Sequence, residues 1–284
     1  MLGTVVALAS RIVSNPLANV FQKKLVKTHS AILINFYCYL FLSLFCFPFA
    51  LNINWSVYGL NYWCYVLGAG ILCTLGNICL IKALQSGEMS ILGPINSYKC
   101  LVGLAFGWLF LNEIPSLFGF LGMLLVIWGS WYIFDTVDDG LSFKLFLRKD
   151  IILRFCALFF SGCEAAILKK IILLSTPEQS FVLWCFTGLL FSFILMILFR
   201  KKFEVLGRSD LGKCLMVAFC FGIMQLSTNF VFLKLNVGLS LALFQLSTIV
   251  SVLFGYKFFH EDNLLKKIIG SVIMIGGSCL ILLL

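Results

Sequence analysis

From Gly119 to Phe134, and again from Ile268 to Leu284, the chain carries no charged side chain and presents apolar residues on every face. Neither stretch has a period of two. That removes a membrane β-barrel, whose strands alternate apolar and polar residues in segments of roughly ten. About twenty apolar residues cross a bilayer as a helix. On that ruler spans are expected at residues 2–22, 30–50, 61–83, 89–111, 115–135, 151–173, 179–199, 211–233, 238–259 and 264–284. The expected fold is an all-α membrane protein of about ten transmembrane helices.

Composition agrees with this reading. The hydrophobic set makes up 61% of the chain and charged residues 12%, with a mean hydropathy of +1.05. A soluble domain is nearer half apolar and a quarter charged. The formal charge of +9 does not mark a nucleic-acid binder, because the basic residues sit in short clusters at helix ends and no soluble domain exists to build a basic groove. The 12 cysteines fall singly in apolar segments without a CxxC pair, so they read as small packing residues. Apolar sequence begins at Met1 with no basic region ahead of it, and the first helix is expected to stay in the mature protein.

Two connections are long, 135–150 and 200–210. The first divides the chain into halves, 1–135 and 151–284, joined by a linker at 136–150. An offset of 148 places Gly107 on Gly255, Glu113 on Glu261, Gly122 on Gly270, Gly129 on Gly277 and Ser130 on Ser278. An offset of 146 places Lys23-Lys24 on Lys169-Lys170. Five spans per half is an odd number, so two such halves insert with opposite orientation. The expectation is two inverted five-helix repeats, an arrangement used by secondary transporters.

The chain resembles the drug/metabolite transporter superfamily with its tandem EamA-type repeats. The resemblance rests on Asn112-Glu113 and His260-Glu261 before the closing helix of each half. It rests too on the Gly-rich endings Leu121-Gly122-Met123 through Trp128-Gly129-Ser130 and Ile269-Gly270-Ser271 through Gly276-Gly277-Ser278. The family's usual Gly-Glu turn is Asn-Glu and His-Glu here. What the resemblance implies is a transporter of small organic solutes, with a central cavity lined mainly by the third, fourth, eighth and ninth helices. The implied location is a bacterial cytoplasmic (inner) membrane.

Orientation is read from the Lys and Arg between spans. Odd-numbered connections carry 15 and even-numbered ones carry 3, namely Lys169, Lys170 and Lys234. The count puts both termini outside the cytoplasm, whereas the resemblance implies both inside.

No enzyme signature is present. The chain has no phosphate loop, no His-Glu-x-x-His, and only two histidines, His29 and His260, both near helix ends. No cofactor or metal is expected. A charge at mid-bilayer costs on the order of 3 kcal/mol or more, so an ionisable residue deep in a span usually faces a cavity or a partner. Lys99 lies deep in the fourth span within Asn96-Ser97-Tyr98-Lys99, and Glu164 lies deep in the sixth. Lys99 is expected to contact an anionic group on the solute, and Glu164 to pair with it or exchange a proton. Gln245, Ser247 and Thr248 of the ninth span fall at matching depth, while Gln225 and Asn229 of the eighth and Asn77 of the third complete the candidate set.

Gly93-Pro94 is expected to break the fourth span, and Pro16 to do the same in the first. Trp63, Trp108, Trp131 and Trp184 read as interface anchors. Arg11 and Arg154 read as snorkelling residues, and Glu113 and Glu261 as capping residues at turns. The expected function is secondary active transport of a small organic solute through a midplane cavity between the repeats. The alternative is a lipid-linked flippase or a non-transporting scaffold.

Overall fold

In a computed structural model, the protein is described over residues 2–99, 101, 117–136, 143–235 and 237–282. The helices are α1 (Leu2–Leu25), α2 (Ala31–Leu51), α3 (Leu60–Ser86), α4 (Met89–Leu92), α5 (Leu117–Phe134), α6 (Phe143–Phe146), α7 (Lys149–Leu174), α8 (Pro177–Leu198), α9 (Arg208–Lys234), α10 (Val237–Phe244), α11 (Ser247–Phe259) and α12 (Leu264–Leu282). Among the described residues no strand occurs, and nine helices are long and apolar enough to cross a membrane, α10 and α11 together forming one of them. Of the remaining expected span, 89–111, residues 100 and 102–111 lie outside the described residues.

Local chemistry sets several of the helix ends. Ser30 caps α2 by accepting a hydrogen bond from the Leu33 amide at 3.3 Å. Thr176 caps α8 in the same way through the Gln179 amide at 3.2 Å, with Pro177 at the first helical position. At the end of α11, His260 is left-handed, with φ 53° and ψ 40°. That is the backbone region that favours glycine and tolerates histidine better than most side chains. The departure from Gly-Glu to His-Glu therefore keeps the turn. Its geometry carries Glu261 back onto α4.

Two spans are not continuous. After α4 the chain tightens into a 3₁₀ turn at Pro94–Ser97, as Gly93-Pro94 predicts. The ninth span, expected to be unbroken over 238–259, is interrupted at Gln245-Leu246 between α10 and α11. No glycine or proline marks this second break, so local sequence gave no warning of it. By contrast α1 runs through Pro16 without interruption, against expectation. A proline deletes one amide donor, and a membrane helix packed among neighbours can absorb that loss.

The helices pair across the chain. α1 lies along α9, α3 along α7, α2 along α8, and α5 along α12. Small residues let these axes approach. A Cβ added at Gly122 would stand 2.6 Å from the Gly277 carbonyl oxygen, and one at Gly129 would stand 2.8 Å from that of Gly270. The contact is reciprocal, since Gly270 abuts Gly129 and Gly277 abuts Gly122. Gly129→Ala should accordingly force α5 from α12 and lower stability by about 1–3 kcal/mol. Unfolding of the purified protein in detergent checks this, with the exposed Gly3→Ala as the control that should change nothing.

Candidate functional site

A cavity of about 150 Å³ lies between the helices of the bundle. Its wall comes from α1 (Arg11, Asn15, Asn19), α3 (Cys73, Asn77), the broken fourth span (Asn96, Lys99) and α7 (Arg154, Ser161, Glu164). Tyr39 of α2 and Trp184 of α8 complete it, with Gln225, Thr228 and Phe232 of α9 and Phe244 of α10. The first and sixth spans thus contribute to the wall alongside the four that the resemblance implies.

Of the residues singled out in the sequence, Lys99, Asn96, Asn77, Gln225 and Glu164 line this space. Lys99 and Glu164 act on each other electrostatically. The Glu164 carboxylate is buried, and its Oε1 accepts from the Trp184 indole N–H at 3.2 Å. Trp184 is 5% exposed and is therefore a cavity wall, not an interface anchor. Its position near a helix end in sequence hid that. Trp131 does face outward, Trp63 packs against the rings of Trp55 and Tyr62, and Trp108 lies outside the described residues.

The remaining candidates stand behind the wall and brace it. Gln245, fully buried at the break of the ninth span, accepts from the Asn96 Nδ2 at 3.2 Å, so the two breaks meet. Ser247 and Thr248 return their hydroxyls to the Phe244 and Gln245 carbonyls at 2.7 Å each. These bonds serve backbone oxygens at the break. Tyr98 donates to Ser130 at 2.8 Å, tying the fourth span to α5, and Ser97 is fully buried. Asn229 donates to the Pro177 carbonyl at 2.9 Å and accepts from Gln225 at 3.1 Å.

Both arginines set aside as snorkelling residues face inward. Arg154 is 8% exposed; its Nε donates to the Leu92 carbonyl at 2.7 Å and its Nη2 to the Asn96 Oδ1 at 3.1 Å. The break after Leu92 frees that carbonyl, and the guanidinium fork takes it up while fixing Asn96 on the wall. Arg11 lies 3.9 Å over the Phe244 ring. One signal could have exposed α1. Arg11, Asn15, Asn19 and Gln22 fall at i, i+4, i+8 and i+11, a polar stripe on one helical face. Gln22 extends the stripe to Asn77 at 3.4 Å, Asn77 bonds Asn35, and Asn35 donates to Ser192 at 2.8 Å.

One end of the bundle is latched by ion pairs. Lys23 donates to Glu261 at 2.7 Å and to the Gly87 carbonyl at 2.9 Å. Glu261 also accepts from the Met89 and Ser90 amides at 2.8 Å each, capping α4. The capping role read for Glu261 is thus realised across the whole length of the chain; Glu113 lies outside the described residues. At the same end Lys267 meets Glu88 at 2.6 Å. At the opposite end Lys169 donates to the Phe232 and Leu235 carbonyls. Among the described residues, no group of His, Cys, Asp and Glu could hold a metal ion.

A multi-pass helical membrane protein with a polar cavity between its helices is the class that fold and cavity define. The EamA-like transporter family matches residues 5–135, which bears out the resemblance to the drug/metabolite transporters of the EamA type. No curated protein matches the chain. A solved crystal structure matches with a TM-score of 0.63 at 12% identity, over 96% of this chain and 96% of that one. That likeness shows the fold. Members of the EamA family are transporters and not enzymes.

Proposed function

We propose that the protein is a secondary active transporter that moves a small organic solute through the cavity between two inverted five-helix halves, 1–135 and 151–284. The observation that carries the reading is the cavity itself. Among the described residues, three cations, one carboxylate and several amides converge on one space between apolar helices. Such burial is costly unless the groups serve a solute or an ion. A flippase would instead want an elongated apolar groove open to lipid.

The pairing of helices supports the inverted halves. Exchanging the first five spans with the last five turns the α1–α9 contact into the α3–α7 contact and maps α2–α8 and α5–α12 onto themselves. The glycine contacts 122–277 and 129–270 exchange in the same way. So do the bonds from Lys23 to Gly87 and from Lys169 to Leu235. The two breaks meet at Asn96 and Gln245, where discontinuous helices commonly form a solute site. Lys99 and Glu164 are assigned as the solute-facing and coupling groups.

Transport into proteoliposomes tests this. Lys99→Ala and Glu164→Gln should each reduce solute flux by at least about tenfold, the equivalent of roughly 1.4 kcal/mol at the site. Near-normal flux for both variants at equal incorporation would sink the reading.

A further inference from the structure

Arg11 stands on α1 at the cavity wall. Its Nε and Nη1 are buried and have no hydrogen-bond partner among the described residues. Its guanidinium carbon rests over the Phe244 ring at 3.9 Å, and the side chain forms part of the cavity wall. Arg154, the other arginine of the wall, is already engaged by Leu92 and Asn96. Phe244 ends α10 at the break of the ninth span, so Arg11 also stands near a helix C-terminus, where the partial negative charge favours a cation. Stacking and that helix end hold the guanidinium in place without filling its Nε and Nη1 donors. Buried donors left unfilled are expensive, and a planar oxyanion is the group that a guanidinium binds in two-point fashion.

The wall's formal charge points the same way. Among the described residues of the wall, Arg11, Lys99 and Arg154 face one acid, Glu164, so these side chains carry a surplus of positive charge in a low-dielectric setting. About 150 Å³ is the size of an engineered protein cavity that holds a benzene molecule. Tyr39, Trp184, Phe232 and Phe244 supply flat apolar walls.

The geometry points to a compact organic carboxylate as the solute class, with its carboxylate seated on the Arg11 fork and its apolar body against the aromatic wall. This rests on the transporter reading and deepens it: Arg11, and not Lys99 alone, decides that the solute is an anion.

The test is calorimetric titration of the purified protein in zwitterionic nanodiscs with benzoate, its neutral isostere benzamide, benzylamine and inorganic phosphate. Wild type should bind benzoate at least about tenfold more tightly than benzamide, as expected for a charge-assisted hydrogen-bonded pair. Benzylamine should bind more weakly still. Arg11→Gln should remove the benzoate preference while leaving benzamide affinity unchanged, and Arg11→Lys should restore part of it. A purely structural role for Arg11 would shift all probes together and would overturn the proposal. So would equal affinities for benzoate and benzamide in wild type, preference for benzylamine, or no binding of benzoate. Preference for inorganic phosphate over benzoate overturns the carboxylate assignment. In each of these cases the transporter reading stands or falls separately on the Lys99 and Glu164 flux measurements.

Discussion

Glu261→Ala should destabilise the protein by about 3–5 kcal/mol, the usual consequence of removing one partner from a buried ion pair. Two further losses belong to the same change. The Met89 and Ser90 amides lose their acceptor, and α4, only four residues long, loses the cap that holds its first turn. Lys23→Ala should cost less, because Glu261 keeps both amide bonds. The latch is also pH-dependent. Burial alone would push the Glu261 carboxyl up; the Lys23 ammonium and hydrogen bonds from Lys23 and Ser90 outweigh it and hold the group below its ordinary value of 4.5. A group depressed in the folded state binds fewer protons there than when unfolded. Its stabilisation is therefore complete above the ordinary value and is lost as pH falls through the depressed one. Thermal unfolding in detergent, followed from about pH 7 to about pH 3, should show the gap between wild type and Glu261→Gln closing in acid. A gap that widened in acid would contradict the latch.

The second large effect is expected at Arg154. Arg154→Ala leaves the Leu92 carbonyl and the Asn96 side chain without their shared donor, at about 1–3 kcal/mol for each buried group left unsatisfied. Since Asn96 also accepts its place on the wall from this bond, solute binding should fall together with stability. Arg154→Lys keeps the charge but cannot span two acceptors with one planar fork, so it should rescue stability only in part. Unfolding temperature and ligand affinity measured on the same samples check both statements. Full rescue by lysine would mean that charge alone matters there.

The apolar spans were legible because nothing else accounts for segments as uniform as 119–134 and 268–284. Gly93-Pro94 marked the first break because proline removes a donor that the helix needs. The break at Gln245-Leu246 had no such mark, since it is held by tertiary bonds from Asn96 and by the Ser247 and Thr248 hydroxyls. Attention to isolated ionisable residues singled out Lys99 and Glu164, which line the cavity, yet it passed over the α1 stripe, which only helical periodicity reveals. Distance from a helix end misjudged Arg11, Arg154 and Trp184. Helix packing buries Arg154 and Trp184, which closes the path to water that snorkelling needs and keeps the indole from the interface. Glu261 was legible as a cap, but its target lies far away in sequence at Met89-Ser90, where no local pattern could point.

The central claim is that the polar chamber takes up a small solute. A ligand-stabilisation screen of purified protein against amino acids, nucleotides, sugars and organic anions tests it most directly. One class, the organic anions, should raise the unfolding temperature in a saturable manner, and Lys99→Ala should abolish the shift. Stabilisation by no class, or a shift that survives in Lys99→Ala and Glu164→Gln alike, would contradict the account.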